Sequence, residues 1–343
     1  MRWDNLAENM TKEGDSALFA ADAVTTRTFD TPEFRGITFH EIRARSIVNR
    51  VPGASRMPFE WTVNPYRGCT HACVYCFARK THSYLDLDTG LGFDSQIVVK
   101  VNAAELLGRH LASRQWHGQH IAMGTNVDCY QRAEGRYRLM RGILTALRDF
   151  GNPFSILTKG TLILRDLDLL VSAAQQTEVG LAVSVGSVDE ALWRTVEPGT
   201  PGPRRRLGMV ARLSDAGFAV SVLMAPVLPG LSDSDEQIDS TVAAIVAAGA
   251  ASITPLALHL RPGAREWYQG WLGRHHPELL PRYRELYARG SYLAAAYQKD
   301  LSGRVQRAAR HYGMAPKGSR QARAPGPEPG PQPLPSHTQL TLL

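Results

Sequence analysis

Three of the four cysteines in this chain of 343 residues stand close together, at Cys69, Cys73 and Cys76, and Tyr75 directly precedes the last of them. A structural zinc ion needs four protein ligands, whereas three thiolates on a 4Fe-4S cluster leave one iron free to bind another molecule. The spacing C-x3-C-x2-C therefore predicts a metal centre with an open coordination position. It constrains the chain more than any other feature, because the fold has to present these thiols together.

A zinc site is the alternative for the same residues. His82 extends the series to C-x3-C-x2-C-x5-H, which would supply the four ligands of a small zinc module. Such modules are usually short and fold on their own, while this motif leads into a long pattern of alternating strands and helices. That context favours the cluster.

The cysteines are flanked by NPYRGCTH at residues 64–71 and by YCFAR at residues 75–79. With these flanks, the sequence resembles the radical S-adenosylmethionine (SAM) superfamily, and in particular its spore photoproduct lyase branch. The resemblance implies that Cys69, Cys73 and Cys76 hold a 4Fe-4S cluster and that Tyr75 lies beside the adenine of SAM. It also implies a reductant such as flavodoxin or ferredoxin, whose electron splits SAM into methionine and a 5'-deoxyadenosyl radical.

Short apolar segments alternate with helix patterns along most of the chain. Repeated βα units with short connections predict a parallel sheet, and the resemblance implies a partial (β/α)6 TIM-type barrel, an α/β fold. One helix is predicted to begin with Ser232 as its cap, three residues before Asp235. The predicted strands lie near residues 60–64, 121–126, 154–159, 179–185, 219–227 and 252–260.

This pattern divides the chain into four parts. Residues 1–58 are interpreted as an N-terminal extension that is loose up to about residue 35. Alternation in residues 37–51 suggests a strand that flanks the barrel, and the barrel itself is assigned to residues 59–262. A helical segment is predicted over residues 263–314. Residues 315–343 form a proline-rich tail that is predicted to be disordered.

Ligands of such barrels gather at the C-terminal ends of the strands. By resemblance, Asn126 and Asp128 contact the amino group of SAM, and Lys159 pairs with its carboxylate. Ser184 would hydrogen-bond the ribose, and Arg206 would reach a carboxylate.

Cys129 is the one cysteine outside the motif. Spore photoproduct lyase uses a cysteine after the same strand as a hydrogen-atom donor, so the resemblance makes Cys129 a candidate donor. However, it follows Asp128 instead of preceding the segment where the family's donor is expected, and a buried thiol near a strand end is usually inert. Both interpretations stay open.

The net charge of +7 is unevenly distributed, since residues 301–343 carry +5 and the other 300 residues only +2. A basic tail either binds phosphates or is a solvated linker. The N-terminus lacks the apolar stretch of a signal peptide, and no apolar run approaches the roughly 20 residues of a membrane span. With one cysteine left unpaired, a disulfide framework is excluded. We therefore expect a cytoplasmic protein with no membrane contact.

The proline-rich tail ends in QLTLL. This ending resembles the bacterial sliding-clamp-binding peptide, and the contacts to the clamp would come from Gln339, Leu340, Leu342 and Leu343. A clamp contact would bring the protein to replicating or repaired DNA.

Residues 264–312 are rich in aromatic side chains. Such rings either stack nucleobases or pack helices over an open side of the barrel. His259 and Arg261, at the end of the last predicted strand, are candidates for facing the substrate.

The sequence thus predicts a radical SAM enzyme that abstracts hydrogen from an unreactive C–H bond, with a DNA base lesion as the first candidate substrate. An enzyme that modifies RNA or protein is the first alternative. A non-enzymatic, metal-containing module that binds nucleic acid is the alternative of a different class.

Overall fold

The computed structural model describes residues 24–52 and 57–314. The strands of this part of the chain are β1 (Val24–Thr28), β2 (Thr38–Ile42), β3 (Val48–Arg50), β4 (Trp61–Val63), β5 (Tyr66–Arg67), β6 (Gln96–Lys100), β7 (Ile121–Met123), β8 (Phe154–Thr158), β9 (Val179–Ser184), β10 (Ser221–Val227) and β11 (Ser252–Ala257). The α-helices are α1 (Leu91–Ser95), α2 (Ala103–Leu111), α3 (Ala133–Tyr137), α4 (Leu139–Asp149), α5 (Leu167–Ala174), α6 (Glu190–Val196), α7 (Pro203–Asp215), α8 (Asp235–Ala247), α9 (Ala264–His275), α10 (Leu280–Leu286) and α11 (Ala295–His311).

The larger sheet has seven strands in the order β11-β10-β9-β8-β7-β4-β3. The pairs from β4 through β11 are all parallel, and only β3 at the edge runs antiparallel to its neighbour. The six parallel strands coincide with the six predicted ones, which confirms the partial (β/α)6 barrel. The C-terminal ends of these strands therefore meet at one mouth, where the site is expected.

Helices cover the outside of this sheet with their apolar faces. In α4, Met140, Ile143, Leu144 and Leu147 are buried, at the spacing that lines one side of a helix. Beneath them, β8 buries Phe154 and alternate residues. The two patterns join into one hydrophobic core between strands and helices.

The start of α8 differs from the prediction. Its N-cap is Ser234, whose Oγ accepts a hydrogen bond from Gln237 N. Ser232 instead accepts from Leu228 N and fixes the loop that follows β10. The predicted cap was thus two residues too early, because both serines stand before the same apolar pattern.

A second sheet, in the order β1-β2-β6-β5, was not predicted, although β2 lies within the strand suggested at residues 37–51. Strand β2 runs parallel to β6, so the chain before residue 58 is hydrogen-bonded into the chain beyond the cysteine motif. Strand β1 pairs with β2 over residues 24–28, within the segment that the sequence suggested was loose. Phe39 of β2 packs in one cluster with Tyr66 and Cys69, so this sheet supports the loop that carries the motif.

The C-terminal helices cover the remaining side of the barrel. Helix α11 lies along α8 and β11. Tyr268, Tyr283 and Tyr287 are buried beside α9 and α10, which makes these rings packing elements. The predicted tail at residues 315–343, with its clamp-like peptide, lies outside the described residues. In the described ranges, no helix combines the length and apolarity needed to cross a bilayer.

Candidate active site

The cysteines lie on a segment that we call the cluster loop, residues 69–76, between β5 and a 3-10 helix at Phe77–Leu85. Gln131, which follows β7, holds the start of this loop from both sides of Cys69. Its Nε2 donates to Gly68 O over 3.0 Å, and its Oε1 accepts from Thr70 N over 2.8 Å. The amide thus fixes the path of the backbone around the first cysteine.

The segment after α6 holds the middle of the cluster loop. Val74 N donates to Val196 O, and Gly199 N donates to His71 O, both over 3.0 Å. A Cβ on Gly199 would stand 2.1 Å from Thr70 O, so only glycine allows this close approach. The loop is therefore fastened across the mouth of the barrel.

Arg79 fixes the end of the cluster loop. Its guanidinium is completely buried and donates to Cys73 O over 3.0 Å and to both carboxylate oxygens of Asp94 over 2.9 Å. It also donates to Gly90 O over 2.7 Å and lies 4.6 Å from the centre of the Trp267 ring. A buried, paired arginine of this kind stabilises one backbone geometry.

The three thiols suit a metal cluster in their chemistry. All are free of disulfides, and Cys69 and Cys73 are buried. Burial raises the pKa of all three, well above the ordinary value for Cys69 and to about 12 for Cys73. Such thiols stay protonated at neutral pH unless a strongly positive centre binds them. Iron ions do this, because they replace the thiol proton and bind the thiolate. The donor set therefore fits an iron-sulfur cluster.

The zinc alternative finds no support in the geometry. His82 Nε2 lies 2.9 Å from Gln96 O, and its ring packs edge-on against Phe93. Across residues 24–52 and 57–314, no three His, Cys, Asp or Glu side chains are grouped to hold a single metal ion. The contacts with Gln96 and Phe93 hold the His82 ring, so His82 is not grouped with the cysteines as a fourth ligand.

Glu197 is the electrostatic centre beside the loop. Tyr75 donates its hydroxyl hydrogen to Glu197 Oε1, and Arg206 Nη2 donates to Oε2 over 2.5 Å. Lys159 Nζ lies 4.0 Å from the same carboxylate. Burial opposes ionisation of Glu197, but the charges of Arg206 and Lys159 outweigh it and hold the pKa of the carboxyl below its usual value. Three residues predicted to contact SAM are thus gathered around one carboxylate.

Arg206 and Ser184 are joined to each other. Arg206 Nη1 donates to Ser184 O over 2.9 Å, while Ser184 Oγ donates to Ala225 O over 2.9 Å. The carboxylate that Arg206 reaches in this structure is that of Glu197. Both residues therefore tie β9 to the elements around it.

Asp128 connects the ends of β7 and β8. Its carboxylate accepts from Thr158 Oγ1 over 2.6 Å, from Lys159 N over 2.7 Å and from Tyr130 N over 2.8 Å. His71 Nδ1 lies 3.5 Å from the same carboxylate, and burial lowers the pKa of His71 to about 4. Asn126 is partly exposed on the same loop.

Cys129 lies inside the barrel core, with none of its surface exposed. Burial raises the pKa of its thiol well above the ordinary value. The proposed hydrogen-donor role stays a prediction, and this location gives it no support.

Sequence reasoning assigned no contact to Gln131, Arg79 or Glu197. Arg79 was part of the quoted motif, three residues after Cys76, and its place in that motif was the available signal. Gln131 and Glu197 reach the cluster loop only through folding, across 61 and 122 residues of chain.

Beside the loop opens a cavity of about 670 Å³, which we call the arginine cavity. Exposed Arg132, Arg136 and Arg138 line it, and buried His71 forms part of its wall. Arg132 Nη2 donates to Thr70 O over 3.1 Å, so the cavity lies directly against the cluster loop. Within the described ranges, none of the three guanidinium groups lies within ion-pair distance of a carboxylate, although Glu33 also lines the cavity, where hydrogen bonding and, to a smaller extent, the charge of Arg132 lower the pKa of its carboxyl.

Comparison with known proteins agrees with this geometry. The family profile of the radical SAM superfamily matches residues 63–242. An uncharacterized protein of Mycobacterium tuberculosis is 50% identical over 308 residues, covering 89% of this chain and 91% of that protein. An uncharacterized protein of Methanocaldococcus jannaschii is 30% identical over 204 residues, covering 59% of this chain and 72% of that protein.

Among solved structures, spore photoproduct lyase complexed with dinucleoside spore photoproduct has a similar fold. Its TM-score is 0.58 at 16% identity, over 80% of this chain and 79% of the lyase. At this identity the likeness concerns the fold.

The family match, the barrel and the three free thiols on its mouth lead to one conclusion. The chain belongs to the radical SAM superfamily and is an enzyme that uses a 4Fe-4S cluster and SAM, not the non-enzymatic metal-containing module considered from its sequence.

Proposed function

We propose that this radical SAM enzyme acts on a damaged base in DNA. The arginine cavity carries the proposal, because it places three guanidinium groups without carboxylate partners beside the cluster loop. The likeness of fold to a lyase solved with a dinucleoside photoproduct supports the same class of substrate.

Guanidinium groups bind phosphate oxygens strongly, and each neutralised phosphate releases counterions. Phosphate contacts position a nucleic acid without reading its sequence, which suits an enzyme that meets lesions in any sequence context. The cavity volume lies within the range of small-molecule sites, so it can hold part of a strand. Arg132, Arg136 and Arg138 would thus hold the backbone next to the reacting centre.

The bound cluster supplies the electron for reductive cleavage of SAM, by the chemistry that defines the superfamily. Cys69, Cys73 and Cys76 would hold it. Lys159 is the cation best placed for the carboxylate of SAM, because Glu197 lies as far as 4.0 Å from its Nζ and is already paired with Arg206. Arg206 would then act as a positioning residue.

The remaining SAM contacts are proposed for Tyr75, Asn126, Ser184 and Asp128. Asn126 has a partly exposed side chain with no hydrogen bond to another described residue, so it is free to meet a ligand. Asp128 already accepts three hydrogen bonds, so its contribution would be to hold Lys159 and His71 in place.

We also propose a cytoplasmic location, since the cluster chemistry needs a reducing compartment, and flavodoxin or ferredoxin as the required reductant. Recruitment through Gln339 to Leu343 stays a prediction on residues outside the described ranges.

The experiment is an anaerobic assay of the reconstituted enzyme with SAM and dithionite. It compares the yield of 5'-deoxyadenosine without nucleic acid, with undamaged DNA and with ultraviolet-irradiated DNA. The proposal expects irradiated DNA alone to raise the yield and to lose a lesion as it does so.

Two outcomes would overturn the proposed substrate. A rise produced by RNA or by a protein fraction, with irradiated DNA inactive, would assign the enzyme to the alternative class. A yield that no polymer changes would reject a macromolecular substrate.

A further inference from the structure

Three aromatic side chains and one arginine contact one another at the rim of the barrel mouth, directly after the cluster loop. The centre of the His259 ring lies 5.5 Å from the centre of the Phe77 ring and 5.5 Å from the centre of the Tyr292 ring. The Tyr292 and His259 planes differ by 23°, so these two rings are stacked. We call Phe77, His259, Arg261 and Tyr292 the aromatic rim.

Arg261 braces the rim. Its guanidinium carbon lies 5.4 Å from the centre of the Phe77 ring, and its Nη2 donates to the Tyr292 hydroxyl over 3.2 Å. In the described part of the chain, no carboxylate pairs with it. The rim therefore combines fixed aromatic faces with an open positive charge.

The exposure of Tyr292 distinguishes the aromatic rim from the aromatic rings that pack in the core. Tyr268, Tyr283 and Tyr287 are buried, as core rings should be. Tyr292 is 57% exposed although His259 covers one of its faces, so the other face is available. A ring that is held on one side and open on the other is the arrangement that stacks a ligand.

The position of the rim points to the reacting centre. Phe77 follows Cys76 in the chain, and Cys76 is the least buried of the three cluster cysteines. Burial and the charge of Arg261 lower the pKa of His259, so its ring is neutral at pH 7 and stacks as an aromatic.

We propose that the aromatic rim binds an unpaired nucleobase of the substrate strand by stacking it on the open face of Tyr292. The proposal rests on the proposed function and adds a base-binding site to the phosphate-binding cavity. Enzymes that do chemistry on a base take it out of the duplex stack, and aromatic faces replace the stacking that is lost. Arg261 would neutralise the phosphate that accompanies the base.

The test compares binding of a short oligothymidylate with binding of an abasic oligomer of the same length and charge. Wild-type protein is expected to prefer the oligothymidylate by roughly 5- to 140-fold, the equivalent of one stacked base. Tyr292→Ala should reduce that preference to near unity, and Tyr292→Phe should keep most of it because the ring remains. Tyr84→Ala is the matched control, since Tyr84 is an exposed tyrosine outside the rim and its loss should leave the preference unchanged.

The outcomes separate the two proposals. Equal binding of both oligomers by the wild type, or a preference that Tyr292→Ala retains, overturns the aromatic rim while DNA remains the substrate. If neither oligomer binds and an aromatic peptide does, the rim is a peptide site and the proposed substrate falls with it.

Discussion

The buried charged side chains around Glu197 form ion pairs with one another, whereas the exposed arginines beside the cluster loop form no ion pair with a described carboxylate. Arg79 and Arg206 are buried, and each is paired with a carboxylate. Arg136 and Arg138 are exposed and have no carboxylate partner among the described residues. The buried charges therefore fix the geometry of the chain. The exposed ones have no carboxylate to neutralise them, although the guanidinium carbon of Arg136 lies 3.6 Å from the centre of the Phe29 ring.

The contrast between the buried site and the exposed arginine cavity predicts its largest effect for loss of the cluster. Cys73→Ala should remove bound iron and abolish formation of 5'-deoxyadenosine, because a thiolate ligand is missing. DNA binding, measured by fluorescence anisotropy, should persist because the arginine cavity is intact. Loss of DNA binding as well would contradict the separation of the two regions.

Cys129→Ala is the control for that variant. Its thiol is buried in the core and is not part of the three-cysteine motif, so iron content and SAM cleavage should be retained. The product that this variant forms from substrate tests the hydrogen-donor prediction, because a donor is required for turnover. Loss of product would support the role of Cys129, and unchanged product formation would reject it.

The next effect concerns stability at the buried centre. Glu197→Gln leaves Arg206 as a buried charge without its partner, which should cost about 3–5 kcal/mol of unfolding free energy. Glu190→Gln removes a carboxylate that pairs with Arg194 and Arg204 on the surface, and should cost less than about 1 kcal/mol. Urea unfolding under anaerobic conditions measures both variants. Equal losses would mean that the centre tolerates an unpaired charge.

Lys100 sharpens the comparison, because it is a buried cation with no described acidic partner. Burial, and then the charge of Arg67, lower the pKa of Lys100 to about 8. The unfolded chain therefore binds more protons than the folded chain between pH 8 and the ordinary lysine pKa, so stability should rise with pH across that window. Below it the buried charge costs stability.

Lys100→Met should remove this cost, raising the unfolding free energy at pH 7 by up to about 3 kcal/mol and flattening the rise above pH 8. Lys80→Met, at an exposed position, serves as the control and should change neither. Denaturant unfolding at a series of pH values checks both, and an unchanged profile for Lys100→Met would show that this lysine finds a partner.

The smallest effect belongs to the surface. In the double variant Arg136→Ala, Arg138→Ala, the slope of log affinity for DNA against log salt should fall by about 1.4–1.8, because two phosphate contacts are lost. The variant Arg194→Ala, Arg204→Ala removes the same charge from arginines already paired with Glu190, and should leave the slope unchanged. Equal slopes in the two variants would mean that only net charge matters.

The barrel could be predicted because each of its strands can be identified from its own local sequence. Each of these parallel strands is a short, mostly apolar run between polar breaks, as in 154–158 and 179–184. The second sheet could not, since β5 has two residues and β2 pairs with β6 across more than fifty residues of chain. The alternation in residues 37–51 suggests a strand at β2, but a strand whose partner is distant carries no local sign of that partner.

The site residues also divide into those that local sequence reveals and those that only the fold brings together. The cysteines were found because their chemistry is fixed by spacing within eight residues of chain. Glu197 was assigned no contact because Tyr75 and Lys159 stand far from it in the chain. Only folding shows that Tyr75, Arg206 and Lys159 surround it.

The fastening of the cluster loop by Gln131, Gly199 and Arg79 has a consequence for how the holoenzyme is made. None of these contacts uses a cysteine sulfur, so they hold the loop without taking up the atoms that would bind the cluster. In zinc fingers the incoming ion has to order the chain, and much of its affinity is used for that purpose. Here the three sets of contacts supply part of that ordering, so we expect cluster binding to order less of the chain than a zinc ion does in a zinc finger.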